Sequence, residues 1–414
     1  MNTFTKSLFG CALSCAVVNG QGLYSIAPND DEAQDSLPLT FLVGAAVGYD
    51  DNPTPLFGGG GNDGSGFASV FAQANLTSVS PQTTWDVYGR IGARFYFNDL
   101  DGPNTENTVY EVRAGVNFTH RFSERLRFSS RNYVAYEVEP DFEFGFAGDR
   151  RGGQYFRYGS SNSVGYRWSE RLGTQTSINF NGINYIDLDD SNFNSVSFGH
   201  QFRYRLSPAT VVTAGYRFRT TDNDLGGDVD SHFITAGVEH RISPVSAVVL
   251  RGGVQITSPD RSDSRSRPFV EGTLRSQLTE QLGVNLFVRY SQEGYNRSFI
   301  AEDPTAANNV QNFLFEQSQT LRFGGKFNYA LSPTVSLFGG VNYILTDYED
   351  QFSPAVPNLG DVDEGLLNLN AGASLRVNDS VYLTTSYNFT TSFSDFDSRE
   401  YDRNRVQVGI QTTF

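Results

Sequence analysis

The chain has 414 residues, a formal net charge of −15 at pH 7 and a mean hydropathy of −0.36. Aromatic residues make up 14% of it, and it contains one methionine and only two lysines, Lys6 and Lys326. Many aromatic residues beside few helix formers favour a β protein with half-buried strands. The acidic total argues against a nucleic-acid-binding protein.

The N-terminus has the layout of a secretory signal peptide. One basic residue precedes an apolar run over residues 8–18 and then small residues, so residues 1–20 are predicted to be removed on export. A lipoprotein signal ending at Cys15 is the alternative. Both cysteines, Cys11 and Cys15, lie in this segment, so the exported chain would carry neither a disulfide nor a thiolate metal site. Residues 21–38 are predicted to be a short periplasmic segment.

After the signal, a short turn recurs along the chain and no stretch of about 18 apolar residues indicates a membrane-spanning helix. Each turn has an apolar residue, a small polar residue and then Pro, Glu or Asp. The eight copies are VSPQT (79–83), FSERL (122–126), WSERL (168–172), LSPAT (206–210), ISPVS (242–246), LTEQL (278–282), LSPTV (331–335) and VNDSV (377–381). Proline and short polar side chains favour turns. The copies divide residues 39–414 into nine hairpins, and therefore into eighteen strands.

The segments between the turns alternate between apolar and polar residues. From Trp85 to Phe97 the odd-numbered residues are apolar or small, and the even-numbered ones include Arg90 and Arg94. This period of two indicates strands with one apolar and one polar face. Residues 67–78 and 125–138 alternate less regularly, which predicts a β-bulge in each.

Strand length decides between a soluble and a membrane protein. About twelve residues rise roughly 40 Å and cover about 30 Å when tilted by about 40°, which matches the apolar thickness of a bilayer. Strands in soluble sandwiches are typically about half as long. We therefore predict an all-β fold: a closed antiparallel up-and-down transmembrane β-barrel of about 18 strands over residues 39–414, in the bacterial outer membrane.

Three features resemble the type-2 porin family of bacterial outer membranes. They are the opening strand FLVGAAVGYDDNP (41–53), the SPxT and SERL turns, and the terminal Phe414. The resemblance implies an outer-membrane location and recognition of the last strand by the barrel-assembly machinery. It implies little about the transported solute.

Basic residues on the polar face are the candidate pore lining. Alternation places inward Arg90, Arg94, Arg113, Arg203, Arg205, Arg217, Arg219, Arg251, Arg275, Arg289, Arg322, Lys326 and Arg405. Such residues favour anions in a pore, and arginine suits carboxylate or phosphate. The alternative is that they form ladders with luminal carboxylates. Counting across the turns sets Glu239 opposite Arg251 and Glu271 opposite Arg289, whereas Arg217 and Arg219 have no obvious acid opposite them.

Acidic residues crowd the long connections, which are predicted to lie outside the cell. Asp222, Asp224, Asp228 and Asp230 offer a weak match to a calcium loop that lacks its final glutamate. The alternatives are solvated loops and bridging by divalent cations to lipopolysaccharide. The connections 52–66, 293–313 and 347–364 are candidates for a constriction, and the sequence does not say which of them folds inward.

The sequence favours transport over catalysis. The four histidines fall on the outward face, where we expect them at the membrane interface, and no catalytic motif or cofactor site is found. We therefore predict a porin, and not an enzyme, that passes small hydrophilic solutes by diffusion and in which the arginines favour anions. A secretion conduit for an acidic polysaccharide and a plugged structural or adhesive barrel are the alternatives. The expected partners are outer-membrane lipid and lipopolysaccharide; a homo-oligomer stays open because no strand identifies an interface.

Overall fold

The computed structural model describes residues 39–53, 64–100, 106–138, 154–186, 192–224, 227–260, 263–293, 298–302, 310–351 and 361–414. The predicted signal peptide over residues 1–20 and the predicted periplasmic segment over residues 21–38 lie outside these ranges. Parts of the three candidate constriction connections also lie outside them.

The described chain is almost entirely strand. The strands are β1 (Leu39–Asp50), β2 (Ser65–Val79), β3 (Thr83–Tyr96), β4 (Thr108–Arg121), β5 (Leu126–Glu137), β6 (Tyr155–Arg167), β7 (Leu172–Tyr185), β8 (Phe193–Ser207), β9 (Thr210–Asn223), β10 (Val229–Ser243), β11 (Ser246–Pro259), β12 (Arg265–Gln277), β13 (Leu282–Gln292), β14 (Ser298–Glu302), β15 (Val310–Ala330), β16 (Val335–Gln351), β17 (Val362–Arg376), β18 (Val381–Ser394) and β19 (Tyr401–Thr413). A single 3₁₀ turn, Asp397–Arg399, precedes β19. Within the described ranges no helix is long and apolar enough to cross a membrane.

The strands close into one antiparallel barrel. Each pairs with its neighbour in the chain, and β1 pairs with β19 from Leu42 opposite Thr413 to Asp50 opposite Arg405. The short β14 pairs only with the outer end of β15, so β13 pairs directly with β15. Of the nineteen strands, eighteen therefore form the wall, which confirms the predicted strand number and the up-and-down order.

Every predicted turn joins two strands, and its small polar residue explains why it recurs. The Ser123 hydroxyl accepts hydrogen bonds from the backbone N–H groups of Arg125 and Leu126, at 3.2 and 3.1 Å. Ser, Thr or Asn does the same work in other copies of the turn. The apolar first residue is exposed at the rim, as with Phe122 at 62% and Trp168 at 59%. Each turn thus has a side chain that fixes its backbone by hydrogen bonds and an apolar residue that is exposed at the rim of the barrel.

The two predicted bulges are wrong. The strands containing residues 67–78 and 125–138 pair in continuous register on both sides. The register instead shifts beside two Ser-Pro turns, between Arg205 and Ser207 and between Arg241 and Ser243. Alternation was irregular for another reason: β2 turns Phe67 inward, and β5 turns polar side chains outward.

The two faces of the wall differ as predicted, with one correction. Outward residues are apolar and exposed, for example Ile91 at 61% and Val47 at 60%. The inward face is not only polar and small, because buried aromatic clusters lie inside towards the outer ends of the strands. One joins Phe67, Tyr96 and Val109, and another joins Tyr155, Ile183, Tyr185 and Phe193. These side chains fill part of the interior, whereas the sequence predicts an inner face of polar, small and arginine residues.

Candidate functional site

The inward basic residues divide into those with a carboxylate partner and those without one. Arg322 on β15 belongs to the first group. Its Nε and Nη2 each donate a hydrogen bond of 2.7 Å to the two oxygens of Glu293, just after β13. Both side chains are about 2% exposed or less. A bidentate pair of this kind holds both charges in fixed positions and leaves neither for a solute.

Similar pairs fasten the outer ends of other strands. Arg399 in the 3₁₀ turn donates to both carboxylate oxygens of Glu364 on β17, at 2.8 and 2.9 Å. Arg403 on β19 donates to Asp50 on β1, at 2.6 Å for Nη2. This second pair crosses the seam where the first and last strands close the barrel, so it stabilises closure as well as the wall.

A longer chain of charges runs across β8 to β12. Arg203 Nη1 donates a 2.8 Å hydrogen bond to Glu239, and Arg251 lies 3.8 Å from the same carboxylate and 3.4 Å from Glu271. The prediction that Glu239 stands directly opposite Arg251 is wrong. Glu239 faces Val249, and the ion pair forms diagonally.

For the second predicted pair, Glu271 and Arg289, the register is as predicted but the two side chains form no ion pair. Glu271 lies directly opposite Arg289, as expected. The carboxylate of Glu271 instead pairs with Arg251, and Arg289 forms no ion pair with any residue that the structure describes. Facing positions on neighbouring strands therefore do not suffice to pair two long side chains.

The other predicted pore-lining residues also lie on the inward face. Arg94 pairs with Glu111 at 3.7 Å, and Arg113 pairs with Glu137. Arg219 donates a 3.3 Å hydrogen bond to the backbone oxygen of Gln292. Further interactions engage Arg205, Arg275, Lys326 and Arg405. Arg90 lies with its guanidinium carbon 4.0 Å from the centre of the Phe71 ring.

Arg217, near the middle of β9, contacts aromatic rings and no described acid. Its guanidinium carbon lies 4.1 Å from the centre of the Phe233 ring and 5.6 Å from that of Phe269. It forms neither a hydrogen bond nor an ion pair with the described part of the chain, and its Nε is buried without a partner. The aromatic ring holds the cation by a cation–π contact and leaves its N–H donors free.

A recess in the barrel wall surrounds Arg217. Gly199 stands opposite Arg217 on β8 and Phe233 stands opposite it on β10. Gly199 brings no side chain into the recess, and a Cβ there would lie 3.0 Å from the Ser177 hydroxyl oxygen and 3.8 Å from the Cβ of Arg217. The recess, which we call the Arg217 recess, is also lined by Gln175, Ser177, Gln201, Thr235, Arg251, Phe269 and Glu271.

Positive charge dominates around this recess. The charged groups that act on Arg217 are one carboxylate, Glu271, and three further arginines, Arg219, Arg251 and Arg289. Glu271 is already paired with Arg251. An anion entering the recess would therefore meet an unpaired guanidinium, whereas a cation would meet net repulsion.

Comparison with known proteins bears on where this barrel resides. The family model described as "Outer membrane protein beta-barrel domain" matches residues 243–414, which covers β11 to β19 and less than half of the chain. Together with the closed eighteen-stranded barrel, this match decides the location. The protein is a bacterial outer-membrane β-barrel. The resemblance inferred from the turns and the last strand is confirmed at this level.

Solved structures of outer-membrane proteins are similar over most of the chain. OccK1 (OpdK) of Pseudomonas aeruginosa is 14% identical, with 91% of this chain and 98% of that chain covered and a TM-score of 0.46. OccAB4 of Acinetobacter baumannii is 10% identical, with 92% and 100% covered and a TM-score of 0.43. The FrpB iron transporter of Neisseria meningitidis is 9% identical, with 94% and 83% covered and a TM-score of 0.46. No curated protein sequence matches the chain. Likeness this weak says nothing about which solutes cross this barrel.

Several charged residues of the lumen were not predicted from the sequence to lie there. They are Asp50, Glu137, Arg157, Glu293, Glu364, Arg399 and Arg403. Strand parity could have found two of them, since Arg403 shares a face with Arg405, and Arg157 shares a face with the inward residues of β6. The sequence contains no signal that places Glu293 in the lumen. It lies inside the barrel because the chain bends inward after β13.

That inward bend touches one of the three candidate constriction connections. Ser291, Gln292 and Glu293 are buried, at 0, 3 and 1% exposure. The backbone oxygen of Gln292 accepts a 2.8 Å hydrogen bond from Gln255 on β11, and its N–H donates to Gln255 at 3.0 Å. The start of the 293–313 connection is thus tied to the inner wall.

The acidic candidates for calcium binding lie at the outer ends of β9 and β10. Asp222 and Asp228 share a hydrogen bond, and the pKa of Asp228 is raised, first by desolvation, then by that bond and by the charges of Asp222, Asp260 and Asp230. Among the residues with described positions, no group of three or more Asp, Glu, His or Cys side chains is arranged to hold a metal ion. Calcium binding by Asp222, Asp224, Asp228 and Asp230 stays a prediction without support from this geometry.

All four histidines lie on the outward face, as predicted, although not all lie at its edge. The rings of His120 and His240 accept or donate to Thr83 and Thr210 near the periplasmic turns. His200 is the eighth residue of the fifteen in β8, in the middle of the membrane face, where it contacts Thr176 at 2.9 Å. The interface explanation is therefore wrong for His200.

Proposed function

We propose that the protein is a porin that lets small hydrophilic solutes diffuse across the outer membrane and favours anions among them. The unpaired guanidinium of Arg217 carries this proposal. It lies at mid-height on the inner wall, held by Phe233 and flanked by Arg219 and Arg251. A fixed positive charge beside an open recess attracts anions, and it needs no conformational change or chemical step to do so.

Ion conductance in a planar lipid bilayer tests the proposal. The purified, refolded protein should conduct, and its reversal potential in a KCl gradient should show preference for chloride. Heat-modifiable mobility on a gel confirms beforehand that the barrel is folded. Absence of conductance from folded protein, or a preference for potassium, would refute an anion-favouring porin.

A second candidate is a barrel kept shut by its own chain. The inward bend at Gln292 and Glu293 favours it, as do the buried inward residues Phe233, Ile344 and Leu366. Such a barrel fits a secretion conduit for an acidic polysaccharide that opens on demand, or a structural barrel. Replacing residues 295–314 with a short turn separates the cases: conductance that appears only in this variant supports the conduit, and its continued absence supports the structural barrel.

A further inference from the structure

A polar patch lies on the lipid-facing side of β5 and β6. Ser130 and Asn132 are the fifth and seventh residues of the twelve in β5, and Ser160 and Asn162 are the sixth and eighth of the thirteen in β6. Parity puts all four on the outward face, because they alternate with inward residues such as Arg157. We call this set the β5–β6 patch.

The four side chains form a closed ring of hydrogen bonds. Ser160 donates to Asn132 at 2.7 Å, and Asn132 donates to Ser130 at 2.9 Å. Ser130 donates to Asn162 at 2.7 Å, and Asn162 donates to Ser160 at 2.9 Å. Each hydroxyl hydrogen is used. Each amide has two N–H groups and uses one of them, so Asn132 and Asn162 each keep one donor with no partner in the described chain.

The patch lies in the apolar band and not at its edge. On the outer side it is bordered by Val134 and Phe156, exposed at 44 and 40%, and on the periplasmic side by Val164, exposed at 42%. Ser130 is four residues from the periplasmic end of β5, which puts it about 10 Å into the membrane for a strand tilted by about 40°. Hydrocarbon offers no partner to an amide N–H, so polar groups at this depth are costly unless they are covered.

The opposite wall shows what an uncovered face looks like. There β15 and β16 turn Phe323, Phe327 and Val341 outward at similar heights, and Phe323 packs against Tyr343 with ring centres 5.0 Å apart. No amide stands among these four residues. The contrast within one barrel indicates that β5 and β6 do not face lipid alone.

We propose that the β5–β6 patch is the contact surface for a second copy of this chain. The patch carries no charge, so two copies do not repel each other there. Each asparagine offers both a donor and an acceptor, which makes the patch complementary to itself, as an interface between identical subunits requires. Small side chains in the centre also let two walls approach closely.

The neighbouring strands also carry uncharged polar side chains on their outward faces. Val164 pairs with Thr176 on β7, and Thr176 contacts His200 on β8. Beyond them the hydroxyl of Tyr216 contacts His232 at 2.7 Å, again on the outward face. A second copy placed over β5 and β6 would lie beside this polar row, so the interface has room to grow towards β10.

The full-length protein in lipid nanodiscs tests the interface. Replacing both amides with leucine, Asn132→Leu with Asn162→Leu, should weaken self-association about tenfold, judged from the modest worth of each hydrogen bond between membrane segments. The matched control is Val341→Leu on the opposite wall, which should leave self-association unchanged. Mass photometry gives the number of copies, and heat-modifiable mobility shows that each variant is folded.

Cysteine crosslinking in native membranes keeps the test independent of the double variant. The chain's two cysteines, Cys11 and Cys15, lie in the predicted signal peptide, and both are replaced by serine in every variant so that an introduced cysteine reports alone. Ser160→Cys should give an adduct with the mass of two chains, and Val341→Cys should not. A monomeric wild type with equal crosslinking at both positions would overturn the proposal. So would an adduct of Ser160→Cys with a different protein.

Discussion

Arg322 and Arg217 are the same residue type on the same inner wall, yet their surroundings give them opposite roles. Arg322 is 2% exposed and bound through two nitrogens to Glu293. Arg217 rests on the Phe233 ring at 4.1 Å and pairs with no described carboxylate. The first arginine braces the wall, and the second is the one to which the proposed function assigns the attraction of anions. Residue type and facing direction alone therefore do not identify a pore-lining charge; its partner decides.

The difference has a structural cause. Arg322 receives an acid because the chain bends inward after β13 and carries Glu293 to it. Around Arg217 the nearest carboxylate is Glu271, and Arg251 already holds it. More arginines than acids line this part of the wall, and neither Arg217 nor Arg289 forms an ion pair with a described residue.

Removing one partner of the Arg322–Glu293 ion pair should have the largest effect on stability. Arg322→Leu leaves Glu293 buried without a counter-charge, which should lower the free energy of unfolding by about 3–5 kcal/mol. Urea titration followed by heat-modifiable mobility measures the loss. The double variant with Glu293→Leu removes both charges and should recover much of it. Equal stability of the single variant and the wild type would show that the pair does not brace the wall.

Removing the free charge should change selectivity and spare stability. A unit charge about 4 Å from an ion is worth about 1 kcal/mol in water, so Arg217→Gln should weaken the attraction of the anion about fivefold and lower the anion-to-cation permeability ratio at least about fivefold. Reversal potentials in a salt gradient measure the ratio. Arg217→Lys keeps the charge and is the control, for which we expect most of the preference to remain.

The aromatic support of Arg217 sharpens the comparison further. Phe233→Leu keeps the charge and removes a cation–π contact worth about 0.5–1 kcal/mol, so the guanidinium should lose its fixed position. We expect about a twofold to fivefold weaker block of the chloride current by a small carboxylate such as acetate. Phe71→Leu, which removes the ring beneath Arg90, is the matched control outside the recess. An unchanged block in Phe233→Leu would mean that the ring does not position Arg217.

The connection between β9 and β10 contains carboxylates whose neighbours are other acids. Of the variants considered, one in this connection should have the smallest effect on stability. The pKa of Asp228 is raised in the folded protein, first by desolvation and then by Asp222. The folded state therefore binds the proton more tightly than the unfolded state, and stability falls as the pH rises through the raised pKa. Asp228→Asn should remove this slope, which thermal unfolding between about pH 3 and 7 would reveal as a small difference. A slope equal to that of the wild type would contradict it.

Much of the fold could be predicted because its signals are local. Each periplasmic turn needs a small polar side chain that accepts hydrogen bonds from the backbone of the turn, as the Ser123 hydroxyl does. The same few residue types therefore recur at these turns. Alternation then fixes which face each arginine occupies. The location follows from strand length, since about twelve residues tilted in a barrel span a bilayer.

What the sequence could not supply depends on contacts between distant strands. The register across the turn near Ser243 puts Glu239 opposite Val249 and not opposite Arg251. The inward bend that brings Glu293 to Arg322 has no sequence signal. The irregular alternation of residues 125–138 marks the outward Ser130 and Asn132 and not a bulge.

One measurement tests the central claim most directly, namely that the unpaired arginine sets selectivity and the paired ones do not. Reversal potentials are compared for the wild type, Arg217→Gln, and the double variant Asp50→Asn with Arg403→Gln, which removes a bonded pair without changing net charge. We predict that Arg217→Gln loses most of the anion preference and that the double variant keeps it. Loss in the double variant with no change in Arg217→Gln would contradict the assignment.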